Sequence, residues 1–374
     1  MKRCLEEHES TMNEQNEGAS CSKSKSCLTS NADESETQMD LINKTTNSDD
    51  DNDILNEKRK NYISWDDLFM AISFLSAKRS KHRNTKVGAC IVDLDKKIVG
   101  IGYNGMPTRS DNCNFKYDKF ICFYECHAEM NAILNKNSIN LQNCTIYVSV
   151  YPCSECTKII IQSGIKEVVH FPKSNACTAA AKKMFGASGL IIREHKPNQN
   201  IILDSITDQS DGSDLSWENF FMATALLMSK RSKDPVSQVG ACIVDSDNLI
   251  VSTGYNGMPT GCNDDDFPWG KDSVSDLKNK FVYVCHAEMN AIFYKRSINV
   301  KDYTIYVTRF PCIECAKIII QSGIKNVVYL WDPKLGKKKN KSIRSIFSAS
   351  GVENRPHNQN RKKLDIILDF STTD

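Results

Sequence analysis

The sequence predicts an α/β protein built from two tandem copies of one domain. Three observations carry that expectation. Segments with helical apolar spacing alternate with short apolar strands along the chain. The same succession of segments occurs twice. The 374 residues accommodate two domains of ordinary size, and 40% hydrophobic and 25% charged residues are the composition of a water-soluble globular chain.

In chain order, residues 1–60 hold 14 acidic and 8 basic residues, are rich in Ser and Asn, and show little apolar periodicity. Such a segment cannot bury enough surface to offset chain entropy, so a disordered acidic tail is expected, with order beginning near Asn61 or Trp65. Helical spacing follows over Phe69–Ser80 and returns over Phe221–Lys230. Ala89-Cys-Ile-Val and Ala241-Cys-Ile-Val read as strands, with Lys97-Ile-Val-Gly-Ile-Gly and Leu249-Ile-Val-Ser-Thr-Gly as hairpin partners. A helix is expected from His127 to Asn135. Thr145-Ile-Tyr-Val-Ser-Val is a strand, and a helix follows Pro152 through Ile161. Gly164 suits a helix end that needs positive φ, and Val168-Val-His-Phe is a further strand.

The repeat sets the domain organisation. Trp65, Val87-Gly-Ala-Cys-Ile-Val-Asp and Gly102-Tyr-Asn-Gly-Met-Pro-Thr recur 152 residues later, at Trp217, Val239 and Gly254. Cys126-His-Ala-Glu-Met-Asn-Ala-Ile and Ile159-Ile-Ile-Gln-Ser-Gly-Ile-Lys recur 159 residues later, so repeat two carries seven extra residues between Thr260 and Cys285. A period of this size is a whole domain rather than a solenoid unit. The expected boundaries are a tail over 1–60, domain 1 over 61–204, a linker over 205–214 and domain 2 over 215–374. The chain ends of the copies also echo each other, as Ile201-Ile-Leu-Asp and Ile366-Ile-Leu-Asp.

Sixteen cysteines are unusual. No apolar stretch follows the first residues, and no run approaches 18 apolar residues, so neither a secretory leader nor a transmembrane helix is expected. A reducing compartment, the cytoplasm, is the expectation, and there cysteine clusters point to metal or catalysis. Net charge is +2, but residues beyond 60 carry 40 basic against 32 acidic side chains. Much of that excess is Lys334, Lys337, Lys338, Lys339, Lys341 and Arg344. The cluster reads either as a solvated loop or as a phosphate-attracting or nuclear-import patch.

Each copy contains His-Ala-Glu and, further on, Pro-Cys-x-x-Cys: His127, Glu129, Cys153 and Cys156, then His286, Glu288, Cys312 and Cys315. The separation from His to the first Cys is 26 in both. Cysteines at i and i+3 share one helix face, and Pro152 and Pro311 suit a first helical position, which would place both thiolates at a helix N-terminus. One imidazole and two thiolates make three ligands for Zn²⁺ and leave a fourth tetrahedral position open, the arrangement of a catalytic rather than structural site. The glutamate two residues after the histidine is free to move protons beside the metal. This H-x-E…P-C-x-x-C arrangement is the recorded signature of zinc nucleobase deaminases.

Over residues 62–355 both copies resemble the cytidine/deoxycytidylate deaminase family. The likeness is closest in repeat two, through Arg231-Ser-Lys-Asp-Pro, Gly254-Tyr-Asn-Gly-Met-Pro-Thr-Gly-Cys-Asn-Asp-Asp, Tyr283-Val-Cys-His-Ala-Glu and Phe310-Pro-Cys-Ile-Glu-Cys-Ala-Lys. The resemblance implies two tandem cytidine-deaminase-like α/β/α domains, each a mixed five-stranded sheet covered by helices, with one Zn²⁺ per domain. It implies hydrolytic deamination at C4 of cytosine, with Glu288, and Glu129 in repeat one, carrying protons to N3 and to the departing amino group. It assigns sugar contacts to Asn256 and Asn104, although an Asn-Gly pair also reads as a tight turn. Backbone groups of Ala287 and Ala128 would hold the base.

The expected partners are a deoxycytidine nucleotide, a deoxynucleoside triphosphate effector, and further copies of the chain or an intramolecular pseudo-dimer. The expected reaction is dCMP to dUMP, feeding thymidylate synthesis, with repeat two as the main site. Repeat one departs from the pattern in the loop after Gly-Met-Pro and at Lys81-His-Arg-Asn, where repeat two has Lys233-Asp-Pro-Val. It is therefore either an active site with altered regulation or a structural partner. A triphosphate-level deaminase and a polynucleotide deaminase are the alternatives, but no dense basic and aromatic stripe favours a nucleic-acid strand. Arg231 and Lys233 are candidate phosphate ligands, with a plain surface role as the alternative.

Overall fold

The computed structural model describes residues 56–82, 85–107, 124–172, 178–198, 201–207, 214–271, 275–295, 299–357 and 363–368. These all lie within one compact unit, Asp49–Asp374. Most of the acidic tail, and with it Cys4, Cys21 and Cys27, lies outside the described residues, as do Cys113, Cys122 and Cys177. No helix of the described residues is long and apolar enough to cross a membrane.

Repeat one begins with helix α1 (Trp65–Ala77). It starts four residues before the apolar spacing suggests, because Ser64 caps it: the Ser64 Oγ accepts the Asp67 N–H at 3.0 Å. The hairpin β1 (Gly88–Val92) and β2 (Ile98–Tyr103) follows, then α2 (Ala128–Leu134), β3 (Thr145–Val148), α3 (Ser154–Gln162), β4 (Glu167–His170), α4 (Thr178–Ser188) and β5 (Ile191–Glu194). The sheet order is β2-β1-β3-β4-β5. Its β2-β1-β3 side is antiparallel and its β3-β4-β5 side parallel. The parallel pairs are joined through α3 and α4, as parallel strands require a crossover.

Strand β6 (Ile201–Thr207) leads into repeat two: α5 (Trp217–Ser229), β7 (Gly240–Val244), β8 (Ile250–Tyr255), the short α6 (Lys280–Tyr283), α7 (Ala287–Phe293), β9 (Thr304–Arg309), α8 (Ile313–Ser322), β10 (Asn326–Trp331), α9 (Lys338–Ala349), β11 (Glu353–Pro356) and β12 (Lys363–Leu368). The second five-stranded sheet, β8-β7-β9-β10-β11, repeats the first, with its own antiparallel and parallel sides. The mixed five-stranded sheets covered by helices are thus present twice. The echoing chain ends meet: β6 and β12 pair antiparallel, with Ile202 opposite Ile367 and Leu203 opposite Ile366.

The lysine-rich segment becomes helical from Lys338 onward, while Lys334 and Lys337 lie in the turn that precedes the helix. In α9, Ile343 and Phe347 are buried against the sheet, and Arg344 is drawn to Asp332 at 2.9 Å while its guanidinium lies 4.5 Å from the Phe310 ring centroid. The apolar positions, three to four residues apart among lysines, make it amphipathic.

The two repeats share a core. Leu68, Phe69, Ile72 and Leu75 of α1 pack in one buried cluster with Phe220, Phe221, Ala225 and Leu227 of α5. Both helices are therefore apolar on nearly all sides, each lying between its own sheet and its counterpart. Trp65 stacks on Phe69 and Trp217 on Phe221, each with ring centroids 5.4 Å apart. Each tryptophan also receives an arginine from the other repeat, Arg231 over Trp65 at 4.3 Å and Arg79 over Trp217 at 3.7 Å. On the opposite face of each sheet lies a private core, around Ile91, Ile146 and Phe185 in repeat one and around Ile243, Ile305 and Phe347 in repeat two.

Candidate active site

Each private core is capped by a cluster of chemistry-bearing side chains. In repeat one His127 is the N-cap of α2 and Cys153 the N-cap of α3, with Cys156 in the first turn. In repeat two His286 caps α7 and Cys312 caps α8, with Cys315 in its first turn. The first cysteine of each pair thus stands just outside the helix, and Pro152 and Pro311 precede the cap instead of opening the helix. The extended backbone of an N-cap lets the sulfur turn back: Cys153 and Cys312 Sγ accept the N–H of Cys156 and Cys315, both at 3.5 Å.

The three donors converge. His127 Nδ1 lies 3.3 Å from both Cys153 and Cys156 Sγ, and His286 Nδ1 lies 3.4 Å from Cys312 and 3.2 Å from Cys315. In each repeat all ligand atoms fall within 4.8 Å of one another. A tetrahedral centre with Zn–S of about 2.3 Å and Zn–N of about 2.0 Å needs N···S separations of about 3.5 Å. The donor sets fit such an ion to within a few tenths of an ångström. The N-cap cysteine is the readier thiolate of each pair. A hydrogen bond from the Cys156 thiol, opposed by burial and aided by His127, brings Cys153 down to about 3, and Cys315, with His286, does the same for Cys312. Soft thiolates with one imidazole are the donors zinc prefers.

Glu129 and Glu288 are only 3% and 4% exposed, at the start of α2 and α7. Burial pushes both carboxyls up from the ordinary range. Each also interacts with the first-turn cysteine, Cys156 or Cys315, which sets it against the His–Cys–Cys cluster. A buried carboxyl with raised proton affinity beside a metal site is suited to exchange protons.

The asparagines reach the same place by another route. Isolated bridges Gly105–Cys126 and Gly257–Cys285 bring the turn after β2 or β8 against the residue preceding the ligand histidine. Asn104 Oδ1 accepts the Val87 N–H and Asn256 Oδ1 the Val239 N–H, both at 2.8 Å. Asn104 Nδ2 donates to Thr85 O at 3.0 Å and Glu125 Oε1 at 2.9 Å, and Asn256 Nδ2 donates to Ser237 O at 2.9 Å. Both amides therefore fasten the turn. Ala128 and Ala287 are fully buried at the helix starts, between the ligand histidine and the glutamate.

In repeat two a cavity of about 420 Å³ connects these groups: Asn256, His286, Ala287, Glu288 and Cys312 all line it. Arg231 and Lys233 do not. They line a separate cleft of about 560 Å³ between the repeats, together with Trp65 and Tyr255, and Lys233 pairs there with Asp264. The cavity beside the His–Cys–Cys cluster instead gains Asp234, Ser237, Lys280, Arg309, Asp332 and Lys334. Asp234 lies in the Arg231-Ser-Lys-Asp-Pro stretch, and Arg309 directly precedes Phe310-Pro-Cys. Setting that position beside its repeat-one counterpart, Val150, was the signal that could have singled out Arg309.

The pattern that defines the cytidine and deoxycytidylate deaminase zinc-binding region matches residues 63–171 and again 215–331. The chain belongs to this family. Within the deaminase family, the deoxycytidylate deaminase of Homo sapiens is 49% identical over 158 residues, spanning 42% of this chain and 88% of its own length. That of Mus musculus is 48% identical over the same extent. Among solved structures, a dCMP deaminase from the cyanophage S-TIM5, in complex with dCMP and dUMP, is 28% identical, covers 36% of this chain and 93% of its own, and has a TM-score of 0.30.

Proposed function

We propose that this chain is a zinc-dependent deaminase that hydrolyses dCMP to dUMP and ammonia, supplying dUMP for thymidylate synthesis, with repeat two as the main site. The observation that carries the reading is a buried glutamate set against a convergent His–Cys–Cys cluster at the floor of a cavity, in a chain half-identical to deoxycytidylate deaminases over that length. His286, Cys312 and Cys315 would hold one Zn²⁺ and His127, Cys153 and Cys156 a second. The bound ion supplies Lewis-acid activation of the attacking water. Glu288 takes up a proton at its carboxylate, delivers it to N3 of the base and then protonates the amino nitrogen that leaves C4. The C4–N bond breaks, a C4–O bond forms, and water's two hydrogens are accounted for in ammonia and the uracil ring. Asn256 holds the wall against the sugar, and the Ala287 backbone aligns the base. Asn104, Ala128 and Glu129 occupy the same places in repeat one.

The cleft that holds Arg231 and Lys233 suits a triphosphate effector, and the compartment is the cytoplasm. Assembly into homo-oligomers is part of the same reading.

The test is Glu288→Gln and Glu129→Gln, separately, with zinc content measured. Glu288→Gln is expected to lower kcat on dCMP by about 10²–10⁴-fold with zinc retained. Full activity of Glu288→Gln would remove repeat two as the main site, and a zinc-free active protein would remove the metal.

A further inference from the structure

We infer that Arg309, supported by Lys334, is the receptor for the substrate's 5′-phosphate, and that this receptor belongs to repeat two and is missing from the matching position of repeat one. The inference rests on the deaminase reading above and names the part of the substrate that reading leaves unplaced.

Charge in the repeat-two cavity decides it. Two carboxylates other than Glu288 line the cavity, and both are already neutralised. Asp234 is held by Lys280 at 2.7 Å, with both side chains 5% exposed or less. Asp332 is held by Arg344 at 2.9 Å and by the Asn340 amide. Lys280 is consumed in the first of these pairs. Arg309 and Lys334 then stand on the cavity wall with no carboxylate partner among the described residues. Arg309 Nη1 donates to Ser237 Oγ at 2.8 Å, and its guanidinium rests 5.4 Å from the Trp331 ring centroid. Those contacts orient the planar fork and leave most of its five donors for a ligand. An arginine held in this way matches the bidentate geometry of a phosphate, and the exposed Lys334 adds a point charge. Arg309 lines the same cavity as His286, Glu288 and Cys312, so receptor and reacting base would share one pocket.

Repeat one is built differently at the same positions. Val150, buried in the private core, stands where repeat two has Arg309. Glu125 stands where repeat two has Val284, and its Oε1 accepts the Asn104 amide at 2.9 Å. His82 replaces Asp234. The lining around the asparagine thus exchanges a buried Asp–Lys pair for a Glu facing a His, and a carboxylate at that point repels a phosphate. The anion preference of repeat two is therefore not expected in repeat one.

The test uses the full zinc-loaded chain in a Glu129→Gln background, with dCMP and deoxycytidine as paired substrates. Arg309→Val, which installs the repeat-one residue, is expected to raise KM for dCMP about ten- to a hundredfold while kcat/KM for deoxycytidine changes less than threefold. Arg309→Lys is expected to recover most of the dCMP affinity. Lys334→Ala, at an exposed position, reads the same preference should Arg309→Val fail to fold, with a several-fold rise in KM for dCMP alone. A chain that turns over deoxycytidine as well as dCMP before any substitution, or variants that shift both substrates alike, would overturn the assignment and leave the deaminase reading standing. A chain that turns over neither substrate overturns the deaminase reading itself.

Discussion

Asp67 is a carboxylate sealed at the start of α1, where it accepts from Ser64 Oγ at 2.8 Å and Asn198 Nδ2 at 3.0 Å and faces His195 Nε2 at 3.3 Å. Burial works to raise its pKa, but these donors outweigh burial and hold it below the ordinary value. Asp66 behaves alike, held down against burial by Arg193 and the Tyr147 hydroxyl. A carboxyl depressed in the folded state contributes stability that is complete above its unfolded pKa of about 4 and is lost as pH falls through the folded value. The chain is therefore expected to lose stability on acidification below about pH 4, and Asp67→Asn to flatten that loss while lowering stability at pH 7. Denaturant melts between pH 3 and 7 measure both. At this scale the ligands and glutamates were legible because their chemistry repeats at short, fixed spacing. Asp234 with Lys280, 46 residues apart, and Arg193 with Asp66, 127 apart, were not, since nothing local in the chain announces a partner that the fold supplies.

At the scale of elements, glycine governs how closely the helix bearing the site approaches the sheet. A Cβ at Gly254 would stand 2.3 Å from Ala287 O and 2.5 Å from Ala291 N, and one at Gly102 would stand 2.2 Å from Ala128 O. These are backbone atoms of α7 and α2, so the helix itself must move. Gly254→Ala is expected to cost about 1–3 kcal/mol by overpacking and to displace Glu288 enough to lower kcat more than tenfold. Thermal melts and steady-state kinetics on the same preparation test it. The hairpins and first helices of both repeats follow from strong apolar periodicity and Ser N-caps. The last elements do not. Glu353-Asn-Arg-Pro is a strand because β10 pairs with it, as no apolar alternation would select it. The lysines of α9 hide a helix whose buried apolar residues are Ile343 and Phe347.

At the scale of the molecule, the shared core makes the folding of one repeat depend on the other. Phe221 is 1% exposed, stacks on Trp217 and belongs to the cluster that α1 and α5 build together. Phe221→Ala is expected to destabilise the chain by about 3–5 kcal/mol. The loss is expected to appear in a single transition common to both repeats, because neither can retain its central helix without the other. Fluorescence of Trp65 and Trp217, read in single-tryptophan variants against urea, tests whether the two transitions coincide. The internal repeat foretold two domains, but the merging of their cores depends on which faces of α1 and α5 meet, and an all-round apolar helix does not say what will cover it.

The pairing of two unequal halves in one chain also bears on how such a protein changes over generations. In an assembly of identical subunits every substitution strikes all sites at once, so a change that ruins one site ruins every site. Here α1 and α5 join halves encoded separately along one chain, so Val150 and Arg309, or Glu125 and Val284, vary one at a time. One half can keep the reaction while the other drifts toward a different ligand, and the common core keeps the drifting half folded.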